Sequence, residues 1–360
     1  MSSPSRDGVA CAGNWIVEHL HTVTHYPAEG QLVHISEEQR VLGGCAYNVI
    51  RDLHDLDPDL FLYAIGIIGE DEAGHDILND LHRRDIDTFQ LIAQPDVATA
   101  HSEVIISENN GQRTSFYSAG GNRLLSPAYF DFSHCLAAWL HLGSLLLLEG
   151  LDAPDSEFGA GAARVLHMAK EAGLTTSVDL VTDEKADYPA VISPALPYVD
   201  FLIVNAIEAA RCVGVSWAPG EKPVKEKLVA CAEKLLANGV QKAVVIHFPE
   251  GAVAMTKSGE IVFAPSLQLP SEQTYSYSGA GDAFSAAFIY ATLHDWPLEK
   301  RLQLGHCCAA QKLLNPNRRL LAGERNLELL EKFSTHEMVW RGNPHPLFLE
   351  KPGNDVLAEQ

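Results

Sequence analysis

Residues 139–180 contain WLHLGSLLLL (139–148), SEFGAGAARVLHMAKEAG (156–173) and TTSVDL (175–180), and the change of period between them decides the fold class. The first is a nearly continuous apolar run, the pattern of a strand buried on both faces, and the last is a short β-rich run that also reads as a strand. Between them, Phe158, Ala162, Val165, Ala169 and Ala172 form one stripe at helical spacing, and Gly173 stands where a helix would end. Strand, helix and strand in succession imply a crossover, so the two strands run parallel beneath a covering helix.

The same alternation extends outward in both directions. LFLYAIGII (60–68) reads as a strand. EDEAGHDILNDLHRR (70–84) reads as the helix after it, with acids at its start and bases at its end to match the macrodipole. YVDFLIVN (198–205) and KAVVIH (242–247) are further buried strands with helices between them. A parallel sheet covered on both faces follows. Two stretches break the pattern with a period of two: WIVEHL with QLVHISEE (15–38), and HSEVIISENNGQRTSFYSA (101–119), where Asn-Asn-Gly-Gln signals a hairpin. They are expected to meet as a small sheet outside the main one, a lid. The segment after Lys332 is rich in Pro and Gly and is expected to be an extension, 333–360, of a single domain spanning 1–332.

Composition narrows the function classes. The chain has 360 residues, 26 Lys+Arg against 47 Asp+Glu, and a formal charge of −21, enough negative charge to repel a phosphate backbone. Nucleic acid and anionic membrane are therefore not expected as partners. The longest apolar run, Cys135 to Leu148, is interrupted by His141, Gly143 and Ser144 and is shorter than the roughly 20 residues a bilayer requires. The first ten residues, MSSPSRDGVA, lack the apolar centre of a secretory signal, so a cytoplasmic location is expected. Seven cysteines with no C-x-x-C pair argue against a disulfide scaffold or zinc ribbon. No Gly-Lys dipeptide, G-x-S-x-G or strand-linked G-x-G-x-x-G is present, which removes the P-loop, hydrolase and dinucleotide fingerprints.

Three constellations remain. Ser278-Gly279-Ala280-Gly281-Asp282 opens a helix that continues to about His294. A Gly-Ala-Gly turn there lets backbone N–H groups converge on an anion, and Asp282 in the first turn can take a proton from an acceptor hydroxyl. A carboxylate of ordinary pKa, near 4, is sufficient for phosphoryl transfer. The plain alternative is a Gly-rich helix start with an Asp that suits the dipole. Gly43-Gly44-Cys45-Ala46-Tyr47-Asn48 precedes the helix VIRDLHDL. It permits close approach of a ligand, with Asn48 offering a donor and an acceptor, or is a turn with a capping Asn. Asn205 and Glu208, at i and i+3 after a strand, can hold water around Mg²⁺ or form a capping box.

In this order the three constellations resemble the ribokinase-like (phosphofructokinase B type) family of carbohydrate kinases, and the resemblance runs from about Gly13 to Leu314. It implies an α/β/α three-layer sandwich with a mostly parallel central sheet and a β lid drawn from about 13–42 and 97–122. The activity it implies is ATP- and Mg²⁺-dependent phosphorylation of a sugar, sugar phosphate or nucleoside hydroxyl. It makes Asp282 the base, Gly279, Ala280 and Gly281 the anion hole, and Gly43, Gly44 and Asn48 sugar-binding residues. Glu18 stands where the family has a substrate-binding Asp. Asn205 and Glu208 fall on the metal and phosphate motif, and Ser278 and His306 on the nucleotide site. Several positions depart from the family pattern. Ser276-Tyr277-Ser278 replaces Asp-Thr-Thr, which counts against potassium activation; Ile246-His247-Phe248-Pro249 replaces the Thr-x-Gly of the nucleotide site; and Val181 replaces an Asn near Asp179.

Two readings follow: a kinase, or a sugar- or nucleoside-binding protein that kept the fold with a degenerate nucleotide site. The intact Gly-Ala-Gly-Asp favours the first. A homodimer through the lid strands is a further expectation. His141 reads as a core histidine, Cys307-Cys308 as small-residue helix packing, and Cys45 as a thiol near the substrate.

Overall fold

The computed structural model describes residues 6–133, 135–183, 185–215, 217, 223–270, 279–315 and 319–337. Ser278, with its neighbours Tyr275, Ser276 and Tyr277, and the tail from 338 onward lie outside the described residues. In chain order the elements are β1 (Val9–Ala12), β2 (Ile16–Val23), β3 (Ile35–Gly43), α1 (Cys45–Leu56), β4 (Leu62–Gly69), α2 (Glu72–His82), β5 (Asp87–Gln94), β6 (Ala100–Ser107), β7 (Arg113–Ser118) and β8 (Trp139–Leu145). There follow α3 (Glu149–Asp152), β9 (Pro154–Asp155), β10 (Gly159–Ala160), α4 (Gly161–Glu171), β11 (Thr175–Leu180), α5 (Tyr188–Ala195), β12 (Phe201–Asn205), α6 (Ala206–Cys212) and α7 (Lys225–Ala237). The chain then runs through β13 (Ala243–Phe248), β14 (Gly251–Thr256), β15 (Ile261–Pro265), α8 (Ala280–Leu293), α9 (Leu298–Leu314) and α10 (Leu329–Lys332).

Nine strands form the main sheet in the order β15-β14-β13-β12-β11-β8-β1-β4-β5. All neighbours from β13 to β5 are parallel, and the β13–β14 and β14–β15 pairs are antiparallel. Alternate residues of each strand enter different cores. Ala10, Leu140, Leu142, Leu202 and Val244 pack with α4 to α7 on one face, while Val9, Trp139, Phe201, Ile203 and Val245 pack with α1, α2 and α8 on the other. This two-sided burial is why the strands read as unbroken apolar runs. The expected lid is a separate four-stranded sheet, β3-β2-β6-β7. It is mixed, since β2 and β6 run parallel and the two outer pairs antiparallel.

Several boundaries differ from the sequence reading for local reasons. The strand expected over 139–148 ends at Leu145. There the Asp152 carboxylate accepts the N–H groups of Leu146 and Leu148 and turns the chain, with Ser144 and Leu146 at positive φ. The helix expected over 156–173 starts at Gly161, because Asp155 binds the N–H groups of Glu157 and Phe158 in the short β9–β10 hairpin. Its end is as read: Gly173 has φ +84° and closes the helix with bonds to Lys170 O, and from Leu174 to Ala169 O. The helix expected to follow Asn48 begins at Cys45 instead, so Asn48 sits inside the first turn of α1 rather than capping it. The second lid strand starts at Ile35 and continues to Gly43. β1, β14 and β15 were not anticipated. No described helix is long and apolar enough to cross a membrane.

Candidate active site

The parallel strands end on one edge of the sheet, and the chain leaves β1 in one direction and β8 in the other, the kind of switch point where open α/β sheets bind ligands. Asp179, Asn205 and His247 stand at the carboxyl ends of β11, β12 and β13. The start of α1 and the start of α8 face each other across this edge.

Gly44 caps α1 with φ +92°, and an added Cβ would lie 2.2 Å from the Asn14 carbonyl oxygen. Only glycine fits there. Gly44→Ala is therefore expected to lose at least about 1–2 kcal/mol, the cost of a left-handed non-glycine residue, and more for the clash. Chemical denaturation measures the loss. Because the cap sets the direction of α1, kcat/KM should fall with it.

Asn48 Nδ2 donates to Asp282 Oδ2 at 2.8 Å. This bond ties the GGCAYN and GAGD segments together across 234 residues of sequence. Gly279 caps α8 in the left-handed region, with φ +77°. A Cβ on Gly281 would contact the His247 ring at 3.5 Å, so the imidazole borders the Gly-Ala-Gly turn. Burial lowers the pKa of His247 to about 4, and the ring is neutral at physiological pH. Asp282 has a pKa raised to about 6, first by burial and then by the charge of Asp179, against the lowering effect of the Asn48 bond.

A cavity of about 510 Å³ lies between the lid sheet and the helix starts, lined among others by Glu18, Asn48, Arg51, Arg113, Gly279 and Lys312. Glu18 projects from β2, with the Arg113 guanidinium 4.0 Å away and Gly43 beneath it. Burial raises its pKa. Of the residues expected from the sequence, the structure thus brings Glu18, Gly43, Gly44, Asn48, Gly279 and Asp282 to one place, with Ala280 and Gly281 in the adjoining helical turn.

Asn205 and Glu208 form the complete capping box anticipated as their plain reading: Asn205 Oδ1 accepts from Glu208 N–H, and Glu208 Oε2 from Asn205 N–H. Thr182 also donates to Glu208. Glu208 is nonetheless a buried carboxylate whose pKa burial raises to about 7, and no cationic side chain pairs with it among the described residues. An all-oxygen donor set with an uncompensated charge suits hydrated Mg²⁺. His306 does not join the cavity: it is buried, with Nε2 3.2 Å from the Ala264 carbonyl oxygen and its ring edge-on to Phe284.

The sequence profile of the pfkB family carbohydrate kinases matches residues 7–321. The chain belongs to this family. Among curated relatives, it is 25% identical to a ribokinase of Schizosaccharomyces pombe over 68% of this chain and 71% of that one. It is 26% identical to an ATP-dependent ribose-1-phosphate kinase of Halopiger xanaduensis over 77% and 81%. Among solved structures, Arabidopsis thaliana ribokinase complexed with ribose and ATP superposes with a TM-score of 0.72 at 19% identity, over 91% of this chain and 100% of that one. A 2-dehydro-3-deoxygluconokinase of Thermotoga maritima gives 0.73 at 19% identity, over 91% and 99%. The ribokinase-like fold and a carbohydrate kinase follow.

The sequence reading of this kinase missed residues that the fold brings in. Arg51 lies three residues beyond Asn48 on the same face of α1 and lines the cavity, a spacing that could have found it. Asp179 had been read only beside a lost Asn. It accepts Ser144 N–H at 2.7 Å and the Cys45 thiol at 2.8 Å, and its charge acts on Asp282, Glu208 and His247.

Proposed function

We propose that this kinase transfers the γ-phosphoryl group of ATP to a hydroxyl of a sugar, nucleoside or related small polyhydroxylated acceptor held in the cavity beneath the lid. The observation that carries this reading is Asp282 at the first turn of α8, bonded to Asn48 and facing the turn from Gly279 to Gly281. As the acceptor oxygen bonds to phosphorus, its O–H bond breaks and Asp282 takes the proton. The bond from phosphorus to the bridging oxygen breaks, and its electron pair leaves with ADP. The N–H groups of Gly279, Ala280 and Gly281, at the positive end of α8, stabilise the charge that develops. Glu18, Gly43, Gly44 and Asn48 orient the acceptor. Asn205 and Glu208 would hold Mg²⁺ through water, and Mg²⁺ when bound neutralises phosphate charge.

The acidity of the whole chain is compatible with an anionic cosubstrate because positive potential is supplied locally. Arg51, Arg113 and Lys312 line the cavity beside Glu18, Glu37 and Glu108, so its side-chain charges balance, and the positive potential comes from the two helix N-termini that point at it and from Mg²⁺ when bound. ATP binding is accordingly expected to require Mg²⁺. We further infer a reducing compartment, in which the seven cysteines stay as free thiols, and a homodimer through the outer lid strands β3 and β7.

The test is ADP formation across a panel of sugars, sugar phosphates, sugar acids and nucleosides, with and without Mg²⁺ and K⁺. One acceptor class should release ADP with Mg²⁺ and independently of K⁺. Thermal stabilisation by a sugar with no ADP from any acceptor would support the binding-protein reading instead. The kinase that turns over should also lose kcat/KM tenfold per pH unit below about pH 6, because Asp282, held up at about 6, is protonated there and cannot accept a proton. A pH–rate profile still flat well below about pH 4, the ordinary carboxylate value, would remove Asp282 from this role.

A further inference from the structure

Beside the proposed base lies a buried trio that the transfer chemistry does not use. Cys45 Sγ, His141 Nε2 and an Asp179 carboxylate oxygen lie within 4.8 Å of one another. The separations are 3.8 Å from sulfur to nitrogen, 3.3 Å from nitrogen to oxygen and 2.8 Å from sulfur to oxygen. Ordinary zinc bond lengths at tetrahedral angles put sulfur about 3.6 Å from either of the others, and nitrogen and oxygen about 3.4 Å apart. Two of the three edges already match within a few tenths of an ångström. The third is short because a proton, smaller than a metal ion, now joins thiol and carboxylate.

The surroundings are those of an oriented ligand set. His141 is fully buried, and its Nδ1 is held 2.9 Å from Ser177 Oγ, which also receives the Trp139 indole N–H. That fixes the ring with Nε2 toward the other two groups. Asp179 Oδ1 is occupied by Ser144 N–H, leaving Oδ2 for the trio. Gly143 makes room for two of the ligands: a Cβ there would lie 2.2 Å from Cys45 Sγ and 3.2 Å from Asp179 Oδ1. The Asp179 side chain retains 13% exposure, which gives an ion a way in from the cleft.

The geometry points to Cys45, His141 and Asp179 as a binding site for a borderline-soft divalent cation of the zinc class, distinct from the oxygen-only pair Asn205 and Glu208. On binding, the S–H bond breaks, its proton passes to solvent and the sulfur electron pair goes to the metal. The mixed sulfur, nitrogen and oxygen set selects Zn²⁺ or Co²⁺ over Mg²⁺. The site stands on its own geometry and does not depend on the proposed role of Asp282.

The experiment is titration of the full-length chain with Co²⁺, free of nucleotide. One ion per chain should bind with tetrahedral visible absorption and a sulfur-to-cobalt charge-transfer band, displaced by Zn²⁺ but not by Mg²⁺. Cys45→Ser should abolish the charge-transfer band and weaken zinc binding by more than about 100-fold, the upper end of what loss of an outer-shell partner alone costs. His141→Gln should weaken it similarly. X-ray absorption of the zinc-loaded wild type, which depends on no variant, should show one sulfur neighbour at about 2.3 Å. An octahedral cobalt spectrum, an oxygen and nitrogen shell without sulfur, or binding unchanged by Cys45→Ser would each overturn the proposal.

Discussion

Asp282→Asn is expected to lower kcat by about 10²–10⁴ while leaving the KM of the acceptor largely unchanged. The substitution preserves shape, and the new amide oxygen can still accept from Asn48 Nδ2, which now bonds Asp282 Oδ2 at 2.8 Å. What is lost is the capacity to take a proton. The charge of Asp179 and burial both oppose ionisation of Asp282, so neutralising it relieves a repulsion in the folded state. The variant should be as stable as the wild type or more so, a trade of stability against function familiar at active sites. Steady-state kinetics beside thermal denaturation separates the outcomes. A slow variant that is also unstable would point to a structural role, and wild-type turnover would show that the base is another group.

How far the site was legible depended on sequence distance. Gly44, Asn48 and Asp282 could each be singled out locally, because glycine pairs and helix starts leave local signatures. The hydrogen bond that joins Asn48 to Asp282 spans 234 residues, and only the order of the motifs hinted that they meet. The Cys45, His141 and Asp179 trio was illegible for the same reason. His141 lies opposite Ser177 only through the pairing of β8 with β11, and Asp179 two residues on is brought under α1 by the sheet. The apolar neighbours of His141 make it read as a core histidine; it is fully buried, and the groups its Nε2 faces come from α1 and β11.

The fold was legible where period and length agreed. β4, β12 and β13 read as strands because their residues are apolar on both faces, and β11, with the sequence TTSVDL, because it is rich in β-branched residues. β1 escapes because Val9, Ala10, Cys11 and Ala12 make only four residues, short of the run a period needs, though all are fully buried between β8 and β4. β14 and β15 were hidden by the expectation of continued parallel alternation. They instead return as antiparallel neighbours of β13. Helix starts moved where an Asp side chain took nearby N–H groups, as at Asp71 and Asp155, or where the backbone of a positive-φ glycine, Gly44, set the cap.

Lys312→Met is expected to cost about 3–5 kcal/mol of stability, the range for removing one partner of a buried ion pair. Lys312 is 3% exposed and its Nζ lies 2.7 Å from Asp52 Oδ1, while Asp52 is fully buried at the contact between α1 and α9. The same oxygen accepts from Arg51 Nε and Nη2 at 3.1 and 3.0 Å, and Asp52 Oδ2 has no hydrogen bond among the described residues. Without Lys312 the carboxylate keeps a single cation, Arg51, whose side chain is partly exposed to the cavity. At ~2.1 cal/mol/K of unfolding entropy per residue, the loss corresponds to a fall in Tm of about 4–7 °C. Asp52→Asn in the same background discriminates between charge and packing. If the cost comes from a stranded carboxylate, the double variant should recover part of the loss, a coupling of about 1–3 kcal/mol between contacting residues. Additive costs would instead assign the effect to the packing of the Lys312 methylenes. Because Lys312 and Arg51 both line the cavity, the KM for the anionic cosubstrate should rise in the single variant, and recovery of stability in the double variant should not restore it.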